Sequence, residues 1–319
     1  MNATVRPESH ASTSTAPGLE RGDFARGRSA AAETGRLVVV TYNIRYAVGS
    51  HLIGGSLLRR AGLGWPGRRA RLVAGNVERA ARILSGGAAG MPPADVVALQ
   101  EADRGTLRAG GRHVARELAE ATGMNYVRAH VPTPTDVEPK ERKWWLDFEE
   151  RMLRGEEGDT GVALLSRLPL SHASRLELPW DECPWRPRLA VAAAVPFGAR
   201  RLHVFNAHID THADVEGQLR QHRAVLALAD CSDEPTVLLG DFNTMTDEAR
   251  RAARELLEAG GYATPIPTNT PTWRSGPLRR HFDWVFTRGA RVTRWGVARV
   301  RGVSDHWPVW VELEPEHER

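Results

Sequence analysis

Residues 236–243 read Thr-Val-Leu-Leu-Gly-Asp-Phe-Asn, an apolar run that breaks off in polar side chains. Thr236, Val237, Leu238 and Leu239 make a short apolar run of the kind found in strands covered on both faces. Gly240 then lets the backbone turn where a polar edge begins. Asp241 and Asn243 are two apart, so in an extended chain their side chains leave the same face. A carboxylate and an amide aimed at one point can hold a water and a phosphoryl oxygen. Gly, Asp and Asn also favour turns for backbone reasons alone, so the stretch acquires meaning only from its company.

That company is a set of other strands ending in polar side chains. Leu37 to Tyr42 is a buried strand running into Asn43, Ile44 and Arg45, and Asp95 to Leu99 is a second one running into Gln100 and Glu101. Arg201 to Ala207 ends in Asn206 and His208, again two apart on one face. Further strands are expected over 125–130, 162–165, 173–178, 188–195, 282–286, 292–300 and 307–313. Helices are expected over Arg68 to Leu84, Arg112 to Thr122, Asp214 to Ala229 and Asp247 to Ala259, the second closed by Gly123. Two late segments add Asp283 and the pair Asp305-His306.

In sheets that mix strands and helices, ligands gather at strand ends, and converging carboxylate and amide oxygens make a hard-cation site. Oxygen donors point to Mg2+ or Mn2+, whereas zinc prefers Cys and His. His208 and His212 have the spacing of a zinc pair, but no third ligand accompanies them. Each polar residue also has an ordinary explanation: Asp305 as a helix cap, His306 as a core histidine, Asn43 as a turn residue. So many polar strand ends together are harder to explain without a shared site.

Composition sets the bounds. The chain has 319 residues, 41% hydrophobic and 26% charged, a globular balance. Two cysteines, Cys183 and Cys231, give neither a disulfide framework nor zinc spacing, so a reducing, cytoplasmic setting is expected. No 18-residue apolar run and no signal-peptide core occur, so stable membrane insertion is not expected. A net charge of +4 suits an anionic substrate without singling out nucleic acid. Residues 1–35, rich in Ser, Thr, Ala, Gly and Arg, are expected to form a disordered tail, with one domain over 36–314 and a short tail over 315–319. The segments 47–67 and 131–159 are long connections. The second carries Trp144, Trp145, Phe148 and Met152, and reads equally as a substrate-covering lid or as a satellite core.

Taken together, Tyr42-Asn43-Ile44-Arg45, Leu99-Gln100-Glu101, Gly161 to Arg167, Asn206-Ala207-His208, Gly240-Asp241-Phe242-Asn243, Phe282-Asp283-Trp284 and Ser304-Asp305-His306 resemble the endonuclease/exonuclease/phosphatase superfamily, the DNase I-like hydrolases. The resemblance implies an α+β fold, a four-layer α/β/β/α sandwich of two packed mixed sheets flanked by helices. It implies Glu101 as principal metal ligand with Asn43 and Asp305 near the ion. Asp241 would orient or deprotonate the attacking water and Asn243 would hold the phosphoryl group. His306, oriented by Asp283, would stabilise the transition state or assist the leaving group, and His208 would meet a non-bridging oxygen. Asn206 and Arg188 are assigned to substrate binding. The position two after Asn43 is Arg45 rather than an acid, which disfavours abasic-site repair; Ala207-His208-Ile209 replaces the commoner Thr-His-Leu. The expected activity is metal-dependent hydrolysis of a phosphoester in a nucleic acid, a phospholipid headgroup or a small phosphodiester, by a monomer. A phosphomonoesterase and a catalytically silent scaffold of the same fold are the alternatives.

Overall fold

The structure, a computed structural model, describes residues 17–25, 35–49, 67–132, 158–179 and 188–316. Most of both long connections, including Trp144, Trp145, Phe148 and Met152, lies outside the described residues. In chain order the strands are β1 (Leu19–Gly22), β2 (Leu37–Asn43), β3 (Val96–Gln100), β4 (Asn125–Pro132), β5 (Asp159–Ser166), β6 (Ser171–Glu177), β7 (Leu189–Phe197), β8 (Arg200–His208) and β9 (Thr236–Asp241). They continue as β10 (Trp273–Ser275), β11 (Leu278–Arg280), β12 (Asp283–Arg288), β13 (Ala290–Val297) and β14 (Val309–Pro315). The helices are α1 (Arg68–Leu84), α2 (Val114–Thr122), α3 (Val215–Ala229) and α4 (Asp247–Ala259).

Two mixed sheets result. One has the order β1-β4-β5-β3-β2-β14-β13 and the other β12-β9-β8-β7-β6. Among the described residues only β2 with β3 and β8 with β9 run parallel, and α1 and α3 respectively lie in the crossovers that parallel pairing demands. Val39, Val96, Leu164, Val191, Val204, Leu239 and Val311 form the layer between the sheets. Val40, Val97 and Leu165 face outward onto Val73, Val77, Leu84 and Leu118 of α1 and α2. Leu238, Phe205 and Phe286 face Val225, Leu226 and Leu257 of α3 and α4. The order helix, sheet, sheet, helix is the four-layer α+β sandwich expected. It explains why β2, β3 and β9 are continuous apolar runs: all their residues are buried, because both faces are covered.

The chain departs from expectation in three places. Within residues 1–35, Leu19–Gly22 is an edge strand paired antiparallel with β4, so the disordered-tail reading does not hold there. Glu20 anchors it, accepting from Tyr126 Oη at 2.6 Å and meeting His113 Nε2 at 2.7 Å. Residues 273–280, which lie outside the strands and helices expected from the sequence, form the β10–β11 hairpin. Gly240 is not at a turn but inside β9, at φ +147°, where a Cβ would fall 1.9 Å from Ala207 O of β8. A side chain there is excluded by the neighbouring strand, and Asp241 gains its position from that close approach.

Candidate active site

The parallel strands carry their polar ends to one edge of the sandwich. In register, Asp241 lies between His208 of β8 and Asp283 of β12, so three adjacent strands place His, Asp and Asp side by side. From the facing sheet, Asn43 Nδ2 donates to Asp241 Oδ2 at 2.9 Å and to Glu101 Oε1 at 3.2 Å. Asn43 Oδ1 accepts from the Arg45 backbone N at 2.9 Å. Asn43 therefore presents its nitrogen to the carboxylates, which makes it a brace between Glu101 and Asp241; serving as an oxygen ligand, as expected of it, would require turning the amide over.

His306 lies 2.9 and 3.1 Å through Nδ1 from the two oxygens of Asp283, and its Nε2 is 3.7 Å from Asp241 Oδ2. Burial by itself would lower the His306 pKa, but the carboxylates of Asp283 and Asp241 outweigh it and hold the imidazole protonated well above its ordinary range. Burial pushes the Asp241 carboxyl up, opposed by the His306 charge and the Asn43 hydrogen bond and reinforced by Asp283. The site thus pairs a carboxylate made more basic than usual with an imidazolium held by a second carboxylate.

On the other side, His208 Nε2 is 3.7 Å from Asp241 Oδ2 and 4.0 Å from Glu101 Oε1. Arg188 Nη1 sits 3.2 Å from each His208 ring nitrogen and Nη2 donates to Thr211 Oγ1 at 3.3 Å. Glu101, Arg188 and His208 line one small cleft. Glu101 takes a left-handed backbone, φ +56°, immediately after β3, and Asn243 does the same at φ +49° after β9. Such strain at a non-glycine is tolerated where surrounding structure over-determines it, and functional sites are where it gathers. Asn243 N donates to Asp241 Oδ1 at 3.0 Å and its Nδ2 to Ile209 O at 2.9 Å, while Gln218 of α3 clamps its carbonyl at 3.1 Å.

Asp305 is held by Trp273 Nε1 at 3.1 Å and lies 3.6 Å from Arg45 Nε. Ser304 Oγ donates to Asn43 O at 2.8 Å and accepts from His306 N at 3.1 Å, stitching the last loop to the end of β2. One assigned residue does not face the site. Asn206 is fully buried, donating to Leu99 O and Ala163 O at 2.8 and 2.9 Å and accepting from Gln100 Nε2 at 2.6 Å. Its amide is used on both sides between the sheets, so Asn206 is an inter-sheet strut rather than a substrate contact. Gln100 and Ser304 belong to the quoted motifs but had no role assigned to them, and Trp273 carries no sequence signal that singles it out. Gln218 does: it is a polar residue on the apolar stripe of α3.

A protein-family model described as the Endonuclease/Exonuclease/phosphatase family matches residues 40–306. The chain belongs to this family. Among solved structures similar to it is an endonuclease/exonuclease/phosphatase from Beutenbergia cavernae, 22% identical, with a TM-score of 0.58, covering 88% of this chain and 72% of that one. TDP2 from D. rerio complexed with single strand DNA product is 15% identical, with a TM-score of 0.53 and coverage of 88% and 99%. A mannosyl-6-phosphatase from Bacteroides thetaiotaomicron is 19% identical, with a TM-score of 0.51 and coverage of 87% and 99%. At these identities the likeness establishes the shared fold. A comparison with curated proteins returns no match.

The family uses divalent metals, and the donor chemistry here fits one. Glu101, Asp241, Asp283 and Asp305 gather four carboxylates at one edge, with His306 and Arg45 as close cations. Such an oxygen-rich, acid-heavy set suits a hard divalent ion. Asp241, Asp283 and His306 also each offer a ligand atom within 4.8 Å of the others. That trio is already joined by the His306–Asp283 hydrogen bonds, and a protonated imidazole has no lone pair to give a metal. No helix among the described residues is long and apolar enough to cross a membrane.

Proposed function

We propose that this chain hydrolyses phosphoesters with the help of a Mg2+ or Mn2+ ion, and that phosphodiesters are preferred to monoesters. The observation that carries the proposal is Asp241, flanked within 4 Å by His306, His208 and Asn43, with His306 in turn locked to Asp283. Glu101 and Asp305 would hold the ion, with Asn43 bracing Glu101. A divalent ion there supplies charge neutralisation at the phosphate and a more acidic water.

The remaining work falls to the chain's own side chains. Asp241, with its raised proton affinity, takes a proton from the water that attacks phosphorus, and Asn243 fixes that carboxylate from its backbone N. His208, backed by Arg188, hydrogen-bonds a non-bridging oxygen. The His306 imidazolium faces the negative charge that accumulates in the transition state and can pass its proton to the leaving oxygen, with Asp283 keeping it charged beforehand. Catalysis of this kind is mainly positioning and fixed electrostatics. A singly charged diester suits the acid-heavy site better than a dianionic monoester does, by Coulomb repulsion alone.

The test measures release of nitrophenol from bis-p-nitrophenyl phosphate and from p-nitrophenyl phosphate, with added Mg2+ or Mn2+ and with EDTA. Metal-dependent turnover of the diester at the higher rate is expected. Metal-dependent turnover confined to the monoester would reverse the substrate assignment, and absence of turnover on both would leave the scaffold alternative standing.

A further inference from the structure

Trp307 follows His306 directly and is 7% exposed. Three guanidinium carbons converge on its ring, those of Arg274, Arg279 and Arg299, at 6.0, 5.8 and 5.8 Å from the ring centre. Arg274 and Arg279 are cross-strand partners in the β10–β11 hairpin, while Arg299 arrives from the segment between β13 and β14. Arg279 is pinned by Nη1 donating to Gly276 O and Leu278 O at 2.7 and 2.8 Å. Some arginines elsewhere pair with acids, as in Arg116–Glu120, Arg254–Glu258 and Arg288–Asp230, while others, such as the exposed Arg71 and Arg251, stand singly without one among the described residues; what sets the Trp307 group apart is that three such cations share one ring. Among the described residues these three have no carboxylate within ion-pair distance, and neither do neighbouring Arg280 and Arg301.

Like charges gathered without a counter-charge repel, and an exposed cation–π contact offsets only about 0.5–1 kcal/mol each. Two buried polar atoms, Trp307 Nε1 and Arg274 Nε, also have no hydrogen-bond partner among the described residues, an unusual state for buried donors. Both costs fall if an anion completes the cluster. Its place is fixed beside the catalytic loop: Arg274 N donates to Asp305 O at 3.0 Å and Trp307 N to Thr272 O at 2.7 Å. Leu278 is the one large apolar side chain exposed on the hairpin, too little to hold a lipid surface.

We propose that Arg274, Arg279 and Arg299, gathered on Trp307, form a second phosphate-binding subsite next to the scissile one, and that it takes a neighbouring phosphate of a nucleic-acid strand. The proposal rests on the phosphoester-hydrolase reading of the adjacent site and names a substrate class for it. Planar guanidinium forks suit phosphate oxygens, and contacts of this kind are independent of base sequence.

The experiment measures binding of a short fluorescein-labelled oligothymidylate to the full chain in EDTA, across a salt series, for wild type and the triple variant R274Q/R279Q/R299Q. The single variant Arg299→Gln, at an exposed position, guards against misfolding of the triple, and thermal melting checks both. If three arginines no longer meet the phosphates of a single strand, the slope of log K against log salt should become shallower by about 2, with affinity at low salt down about tenfold or more. Arg299→Gln should account for roughly a third of the slope change, and Arg299→Lys should restore it. Unchanged affinity and slope in both variants would overturn the subsite. Binding to phosphoinositide vesicles, rather than to oligothymidylate, that depends on these arginines would overturn the nucleic-acid assignment. Because this measurement needs no turnover, a wild type inert towards nitrophenyl esters would refute the hydrolase reading while the salt slope still reported the subsite.

Discussion

Replacing Gly240 by Ala tests how the sheet delivers Asp241 to the site. The new Cβ would sit 1.9 Å from Ala207 O, and real Cβ atoms do not come within 3.0 Å of a neighbour, so β8 and β9 must separate by more than an ångström. That separation breaks one or two ladder hydrogen bonds, at about 1 kcal/mol each. The alanine must also occupy φ near +147°, adding about 1–3 kcal/mol of backbone strain. Gly240→Ala should therefore lose about 3–5 kcal/mol, a large share of the roughly 5–15 kcal/mol that holds a folded protein. Urea unfolding followed by the fluorescence of the ten tryptophans reads the change as a lower midpoint. Gly75, inside α1 with nothing within 4 Å of an added Cβ, is the control, and Gly75→Ala should gain about 0.5–1 kcal/mol. The folded fraction of Gly240→Ala should also lose nitrophenyl-ester activity at least tenfold, since Asp241 moves with its strand. A loss below about 1 kcal/mol together with full activity would refute the close-approach reasoning.

Two more outcomes follow from the buried charges. Asp283→Asn keeps the shape of the side chain but removes the charge that keeps His306 protonated, so activity should fall about 10- to 100-fold, equivalent to about 1.5–3 kcal/mol of a charged hydrogen bond. Its alkaline limb should move to lower pH, because the His306 pKa drops; a pH–rate profile with an unmoved alkaline limb would speak against His306 as the acid. Glu20 tests the edge strand: burial raises its pKa, but hydrogen bonds from His113 and Tyr126 and the nearby cations bring it down to about 2. A carboxyl depressed in the folded state contributes stability above its unfolded pKa near 4.5, and that contribution vanishes as pH falls towards 2. Glu20→Gln should cost about 1–2 kcal/mol at pH 7, after allowance for solvent screening of its partly exposed side chain, and nearly nothing at pH 2. Equal destabilisation at both pH values would exclude the charge as its source.

Much of this architecture was legible because the central strands are covered on both faces. Leu37–Asn43, Val96–Gln100 and Thr236–Asp241 therefore carry continuous apolar runs that end abruptly in polar residues. Local pattern could not show which face of a strand meets the other sheet. Asn206 and His208 do share a face, yet Asn206 is buried between the sheets while His208 reaches the cleft two residues further on. Nor could spacing give the direction of an amide: only the backbone N of Arg45, in a left-handed turn, settles that Asn43 points its nitrogen at Glu101 and Asp241. The edge strand Leu19–Gly22 was invisible because its four residues, Leu-Glu-Arg-Gly, carry no alternation, and pairing with β4 supplies what propensity lacks. In the β10–β11 hairpin the arginines mask the strand pattern, although the Gly276-Pro277 dipeptide marks its turn.

The central claim is that Asp241, with His306 behind it, performs chemistry on a phosphoester. Its most direct test is the metal-supported turnover number of Asp241→Asn on bis-p-nitrophenyl phosphate, measured beside wild type on protein whose urea midpoint shows it folded. An amide of the same shape accepts no proton and can accept a hydrogen bond from only one of Asn43 Nδ2 and the Asn243 backbone N, and turnover should fall at least about a hundredfold, in line with loss of a general base. Turnover equal to wild type in a folded Asp241→Asn protein would contradict the account.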